Sequence, residues 1–512
     1  MTVGSLEQRL KEYSVSVLDL NFGKPIVVLN EADARELGVT PGNILLIIHG
    51  DKQKTGVVMT TKTMVNKGSL MVTNELANAL GLKEGGAVGI KPLSIPPSFP
   101  ALKKRLRGER LEESHYREIV KDVVEGVYGE AEIAAFLVSQ LFYEPTEEEL
   151  TYLIKAMVET GSRIVFEEPA SDVHSVGGVP GNSKVALITV PIVAASGLLI
   201  PKTSSRAITS PAGTADTVEV LARVDLTIDE IKEIVKKTKG VLAWGGKLNL
   251  APADDIFVNI ERRLAIDPIY QMVASILSKK LAMGIERLVI DIPAGRGAKV
   301  QEVSKADEMA GIFIRQASKM NIALKVAITY GGQPIGLTTG PALEAREALS
   351  ALSTGKGSRS LVDKALLLAG LVLELSGRVP AGSGEEAARE IFLSGKAYEK
   401  FKEIIEAQGG DPNVKPEEIP IGKYSYTLKS PLEGAVTHLD NAAITTLARA
   451  CGAPYDKGAG VYLHAKVGYR VNKGDPLITL YSNSASRLET AINLLSQTQP
   501  IVVEGMLLKT LP

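Results

Sequence analysis

The chain has 512 residues, 45% apolar and 23% charged, with a formal net charge of -1. That length exceeds what one hydrophobic core organises, so several domains are expected. So neutral a chain offers no broad basic surface for a nucleic-acid polymer, and its one cysteine, Cys451, allows neither a disulfide framework nor a four-cysteine zinc site. Residues 1–90, within an expected N-terminal domain of residues 1–95, alternate in strand fashion, as in YSVSVLDLNF and NILLIIHG. A weak repeat runs through them: AREL-GVTPG (Ala34–Gly42) returns forty-three positions on as ANAL-GLKEG (Ala77–Gly85). Two similar halves predict a small β-barrel-like domain. The prolines of Lys91–Pro100 mark a linker. Residues 96–162 read as a helical domain, joined by part of a later helical segment. In it Thr146 and Glu149 form a capping box, and Gly161 is expected to close that helix.

From 163 to 420 short apolar strands alternate with helices and end in glycine-rich loops, the pattern of a mostly parallel sheet in a central α/β domain. Thr227 and Glu230 cap one of its helices, and residues 341–408 are helical. Residues 421–512 form a C-terminal α+β domain, which makes the fold class multi-domain α/β. Its piece GYRVNKGDPLITLYS has the strand–turn–strand look of a biotinyl carrier but no convincing modifiable lysine, so it reads as a structural cap. The N-terminus lacks the apolar core of a signal peptide. Of the longest apolar runs, Val185–Ile200 is interrupted by Pro191 and Ala365–Leu375 is too short to span a bilayer. A cytoplasmic setting without membrane contact is expected.

Three loops could carry chemistry. HSVGGVPGN (His174–Asn182) has glycines that let main-chain amides approach an anion, although it lacks the GKS/T ending of a P-loop. Alone, it reads as a sharp turn that needs glycine. KTSSRAITSPAGTAD (Lys202–Asp216) crowds hydroxyls and Arg206 after a strand, where open parallel sheets bind ligands. Solvated loop and anion site stand about even there. DIPAGRGAK (Asp291–Lys299) follows another strand and carries Arg296 and Lys299; alone, it reads as a solvated turn. Between the last two, Asp267 and Pro268 form a helix start, with the carboxylate as N-cap. Asp267, Gln271 and Ser275 are four apart and share a face, with Lys279 one turn on. Trp244 lies in another loop of the sheet, where it could equally pack. His49, His115, His438 and His464 show no metal-ligand spacing.

Together and in order, these segments resemble the thymidine and pyrimidine-nucleoside phosphorylase family. The motifs are H-S-x-G-G-V at 174–179, S-x-R-x₇-G-T-x-D at 204–216, A-S-I-L-S-K-K at 274–280 and G-x-A-L-E-x-R-E-A at 340–348. The N-terminal β domain, VPGN, SSRAITS and WGGKLNLAPADD are similar to the archaeal AMP phosphorylase branch. The resemblance implies phosphorolysis of AMP, and also of CMP and UMP, to free base and ribose 1,5-bisphosphate, within nucleotide salvage. Inorganic phosphate is then a co-substrate, with no other cofactor and no metal. It also implies a homodimer or higher homo-oligomer.

By the same resemblance Asp267 is the proton donor to the leaving base. Gly178, the stretch Ser205, Arg206, Ala207, Ile208, Thr209 and Ser210, with Thr214, Ser275 and Lys299, contact the nucleotide. Ser175, Ser204 and again Thr214 match positions on the attacking phosphate. Lys279 matches a lysine that touches the base in thymidine phosphorylases. Two departures speak against a thymidine phosphorylase, the nearest alternative: Val173 replaces a lysine, and Ile260 falls where a base-reading arginine is expected, with Arg262 and Arg263 close by. Lys299 and Arg296 are added cations that a 5'-phosphate would use and a nucleoside would not. A rival of another class is a nucleotide-binding regulator, which would bind AMP and release no base.

Overall fold

The computed structural model describes residues 11–20, 22–93, 96–207, 210–495 and 497–505. The chain forms two compact units, residues 1–160 with 251–274, and residues 161–250 with 275–512.

The first unit opens with β1 (Glu12–Leu18), β2 (Ile26–Asn30), α1 (Glu31–Leu37), β3 (Ile44–His49), β4 (Lys52–Thr61), β5 (Ser69–Thr73), α2 (Asn74–Leu80) and β6 (Ala87–Leu93). The strands close into a barrel in the order β1-β5-β2-β4-β3-β6. The sequence repeat is structural: β2, α1 and β3 start at 26, 31 and 44, while β5, α2 and β6 start at 69, 74 and 87. Gly38 and Gly81 end the two helices in the same left-handed conformation, φ 69° in each. The halves interlock, since β1 pairs parallel with β5 and β4 parallel with β2. Tyr13, Val27, Leu45, Val58, Leu70 and Leu76 fill the interior. The linker is shorter than expected, because Lys91 and Leu93 still pair with β3.

Four helices follow: α3 (Phe99–Leu106), α4 (Glu113–Val124), α5 (Glu130–Phe142) and α6 (Glu147–Glu159). Thr146 Oγ1 accepts from the Glu149 amide at 3.2 Å, and Glu149 accepts from the Thr146 amide at 2.8 Å, completing the capping box. Gly161 does not close α6 in a left-handed cap. It is small because a Cβ there would lie 2.2 Å from the Leu250 carbonyl oxygen.

The second unit contains β7 (Ala170–Ser175), α7 (Val185–Ala195), β8 (Ile200–Ser204), α8 (Thr214–Val218), α9 (Ile228–Thr238) and β9 (Gly240–Trp244). The chain then re-enters the first unit as α10 (Pro252–Leu264), where Phe257 meets Phe136 at 5.8 Å between ring centroids. The border next falls inside α11 (Ile269–Ala282), between Ala274 and Ser275. Then come β10 (Ile285–Ala294), α12 (Val303–Lys319) and β11 (Ala323–Tyr330). β7, β10 and β11 pair in parallel, as do β8 and β9. A parallel bridge from Ala170 to Leu199 and the 2.8 Å bond from Ser171 N to Leu199 O join the two groups. The spatial order is therefore β9-β8-β7-β10-β11, a doubly wound pattern that reverses direction between β7 and β10.

Next come β12 (Thr338–Thr339), α13 (Pro341–Thr354), α14 (Arg359–Leu375), α15 (Gly384–Leu393) and α16 (Lys396–Ala407). Ile188, Val193, Leu366 and Ile404 belong to one core that joins α7, α14 and α16 to the sheet. The C-terminal elements are β13 (Tyr424–Lys429), β14 (Gly434–Leu439), α17 (Asn441–Cys451), β15 (Gly460–Leu463), β16 (Arg470–Val471), β17 (Pro476–Ser482), α18 (Ala485–Leu495) and β18 (Ile501–Glu504). The expected strand–turn–strand is present as β16 and β17, which lie in different sheets: β16 joins β14, while β17 lies between β15 and β13. β12, from the central segment, is the outer strand of that second sheet. The C-terminal domain is thereby sewn to the α/β domain. Among the described residues no helix is long and apolar enough to cross a membrane.

Candidate functional site

The carboxyl ends of β8, β7 and β10 are neighbours, and each feeds one of the three loops picked out from the sequence. Ligands of open parallel sheets bind at such ends, where the strand order reverses. In the first loop Gly177, Gly178 and Gly181 have φ of 79°, 86° and 77°. Gly178 is also a point of close approach, because a Cβ there would stand 2.3 Å from Lys299 Cβ of the third loop. Ser175 Oγ accepts from the Gly177 amide at 3.2 Å and from Asn182 Nδ2 at 3.0 Å. Its own proton is thus left to donate.

One carboxylate holds the second loop at Ala207 and at Gly213. Asp216 Oδ2, buried on α8, accepts from the Ala207 amide at 2.6 Å and the Gly213 amide at 3.0 Å. Thr214 Oγ1 donates to Ser183 O at 3.1 Å, tying this loop to the turn after the first. Ser204 Oγ reaches Ala243 O at 3.5 Å, and Ser210 Oγ reaches Ala212 O at 3.1 Å. Ser205 is exposed; Ile208 and Thr209 lie outside the described residues. The guanidinium of Arg206 bonds Glu219 at 2.5 and 2.7 Å, approaches Asp216 at 3.4 Å and sits 4.8 Å over the Trp244 ring. Its charge is shared with Glu219 and Asp216. Trp244 accordingly acts as a packing surface.

The third loop turns tightly, with Gly295 N bonded to Val300 O and Ala298 N to Gly295 O, both at 3.0 Å. Arg296 and Lys299 are exposed on it. Asn441 of α17 steadies it by donating to Gly297 O at 3.3 Å and Gly331 O at 2.9 Å.

Near the ends of β7 and β8 lies a buried charge cluster that sequence reasoning missed. Asp172 is 2.6 Å from Lys280 Nζ and 3.5 Å from Lys202 Nζ. Two ammonium groups face one carboxylate, so the ends of β7 and β8 carry excess positive charge. Burial pushes Lys202 down to about 8, with Lys280 adding to the effect and Asp172 opposing it. Burial, then Lys280, Lys202 and Lys279, holds His174 well below its usual range, so its ring is neutral. The KK at 279–280 was a signal: Lys279 was read on the polar face, while Lys280 points to Asp172.

The acidic residues of the 340–348 motif anchor the loops. Glu344, buried, accepts from Ser183 Oγ and from the Gly340 amide at 3.1 Å. Burial raises its pKa, against Lys184. Glu347 accepts from Leu337 N at 2.9 Å and Thr338 Oγ1 at 2.6 Å, and pairs with Lys184 at 3.1 Å.

Asp267 belongs to the first unit and is exposed. It precedes the N-cap by one residue: α11 begins at Ile269, and the Pro268 carbonyl accepts the first helical bond, from Met272 N at 3.0 Å. In the same unit Ile260 is buried, while Arg262 and Arg263 are exposed and Arg263 pairs with Glu130 at 2.7 Å. The second unit brings together Ser175, Gly178, Ser204, Ser205, Arg206, Ala207, Ser210, Thr214, Arg296 and Lys299 at neighbouring strand ends. Ser275 and Lys279 belong to its part of α11, which reaches those ends through Lys280. Among the described residues no group of three His, Cys, Asp or Glu could hold a metal ion.

Three family models match in succession: the helical bundle domain of a glycosyl transferase family over residues 99–161, its a/b domain over 167–398, and the pyrimidine nucleoside phosphorylase C-terminal domain over 435–502. The chain is 53% identical to the AMP phosphorylase of Hyperthermus butylicus, over 98% of its own length and 100% of the relative's. It is 50% identical to that of Thermococcus kodakarensis and 47% to that of Methanocaldococcus jannaschii, each over 97% of this chain and 98% of the relative.

Proposed function

Because the chain belongs to the AMP phosphorylase family, within the glycosyltransferases, we propose that it transfers the ribose 5-phosphate of AMP to inorganic phosphate. The observation that carries this reading is the meeting of three loops at the carboxyl ends of β8, β7 and β10, near the Lys202–Lys280 pair. A phosphate oxygen forms a bond to C1' of the ribose. The bond from C1' to the base breaks, its electron pair leaves with the base, and Asp267 supplies the proton the base takes up. Adenine and ribose 1,5-bisphosphate result, and CMP and UMP react in the same way.

Ser175, Ser204 and Thr214 orient the attacking phosphate, which makes the step nearly unimolecular. The buried ammonium groups near these strand ends favour a dianion there. Gly178, the 205–210 stretch, Ser275 and Lys299 take the nucleotide, and Lys279 lies toward the base. Lys299, with Arg296, meets the 5'-phosphate. The chain acts in nucleotide salvage as a cytoplasmic homo-oligomer. Base release from AMP and adenosine at equal phosphate concentration tests the reading. A kcat/KM at least tenfold higher for AMP is expected, as one charge-assisted contact is worth that much. Equal values, or a Lys299→Ala variant unchanged on AMP, would refute the nucleotide reading. Binding of AMP with no phosphate-dependent base release would favour a regulator.

A further inference from the structure

The C-terminal domain does more than cap the sheet. Lys457 lies between α17 and β15, and its carbonyl accepts from Ala342 N at 3.0 Å, which fixes it at the start of α13. Its ammonium reaches across to α8, 3.1 Å from Asp216 Oδ1 and 2.9 Å from Glu219 Oε2. Asp216 holds the Ala207 and Gly213 amides through its other oxygen. Glu219 holds Arg206, and Arg206 with Lys457 keeps its carboxyl down at about 2. From α17, Arg449 Nη1 donates to Ser210 O of the same loop at 3.3 Å. Two cations of one domain thus grip a loop of another.

We propose that Lys457 is a positioning residue for the nucleotide, holding Ala207 and Gly213 of the second loop in their binding positions through Asp216. This rests on the function proposed above. A lysine a third exposed, paired with one buried and one equally exposed carboxylate, contributes little to global stability. Its effect falls on the geometry of the loop, where small misplacements are costly.

The test compares the full-length enzyme with Lys457→Met, Lys457→Arg, Glu219→Gln and the double variant Lys457→Met/Glu219→Gln. Steady-state kinetics are measured with AMP and phosphate varied separately, and Tm is recorded for each protein. Lys457→Met should raise KM for AMP about tenfold, with kcat and KM for phosphate within about twofold and Tm nearly unchanged. Lys457→Arg should restore most of the loss. The double variant should be little worse than the worse single one, because both act on one network. An unchanged KM for AMP in Lys457→Met, or a loss that tracks a fall in Tm and equally affects phosphate, overturns the proposal. A wild-type enzyme that releases no adenine from AMP would instead overturn the function itself.

Discussion

Lys202 shows how burial writes a pH dependence into a site. Its pKa, lowered by burial to about 8, leaves the ammonium charged below that pH and neutral above it. Any help it gives an anion at Ser175 and Ser204 is present below about 8 and lost as pH rises through it. KM for phosphate is therefore expected to climb above pH 8, and a Lys202→Met variant should show a high KM without that climb. Stability moves the other way. Between about 8 and its ordinary 10.5 the unfolded chain binds more protons at this residue than the folded one, so its contribution to stability rises with pH. Denaturation midpoints over that range, wild type against Lys202→Met, check the sign. Asp267→Asn isolates the proton donor. Asn keeps the size and shape of the exposed Asp267 side chain, so thermal unfolding should be near wild type. Phosphorolysis should fall by about 10²–10⁴, as for loss of a general acid. Retained turnover would move the role elsewhere, with Asp254 or Asp255 next to test.

At the scale of elements, the first loop depends on a glycine that answers two demands at once. Gly178 has φ 86°, and its missing Cβ makes room for Lys299. Gly178→Ala should cost about 1–3 kcal/mol, from left-handed strain and the displaced third loop. Both loops would shift, so KM for phosphate and for AMP should rise together, unlike the selective effect expected at Lys457. Those loops were visible in the sequence because glycines and hydroxyls crowd after apolar strand-like runs. The repeat of 34–42 at 77–85 likewise pointed to the barrel, because its glycines end two equivalent helices. What joins the loops was not visible. Asp216 reads as one acidic residue of a short helix, and Lys457 stands 241 positions away. Nothing local revealed Glu219 and Trp244 as partners of Arg206. The strand–turn–strand at 468–482 was legible as β16 and β17, but not that the two strands enter different sheets, because their pairing partners are distant in sequence.

At the scale of the whole molecule, the proposed site residues all lie outside the barrel, and a role in assembly is predicted for it. It is attached within the first unit by Thr55 Oγ1, which donates to Glu125 O at 2.8 Å. Removing residues 1–95 should lower the solution mass by more than the deleted chain, while base release per active site largely survives; light scattering and the AMP assay check this together. An unchanged subunit count would end the assembly idea. The interlock of β1 with β5 and β4 with β2 carries a further consequence. Neither forty-three-residue half can complete its own strand pairs, because each lends its leading strand to the other. A peptide made from one half alone should stay unfolded until it meets a second copy, whose strand supplies the missing edge. The same geometry is what a symmetric pair of short ancestral chains would acquire when a gene duplication fused them end to end.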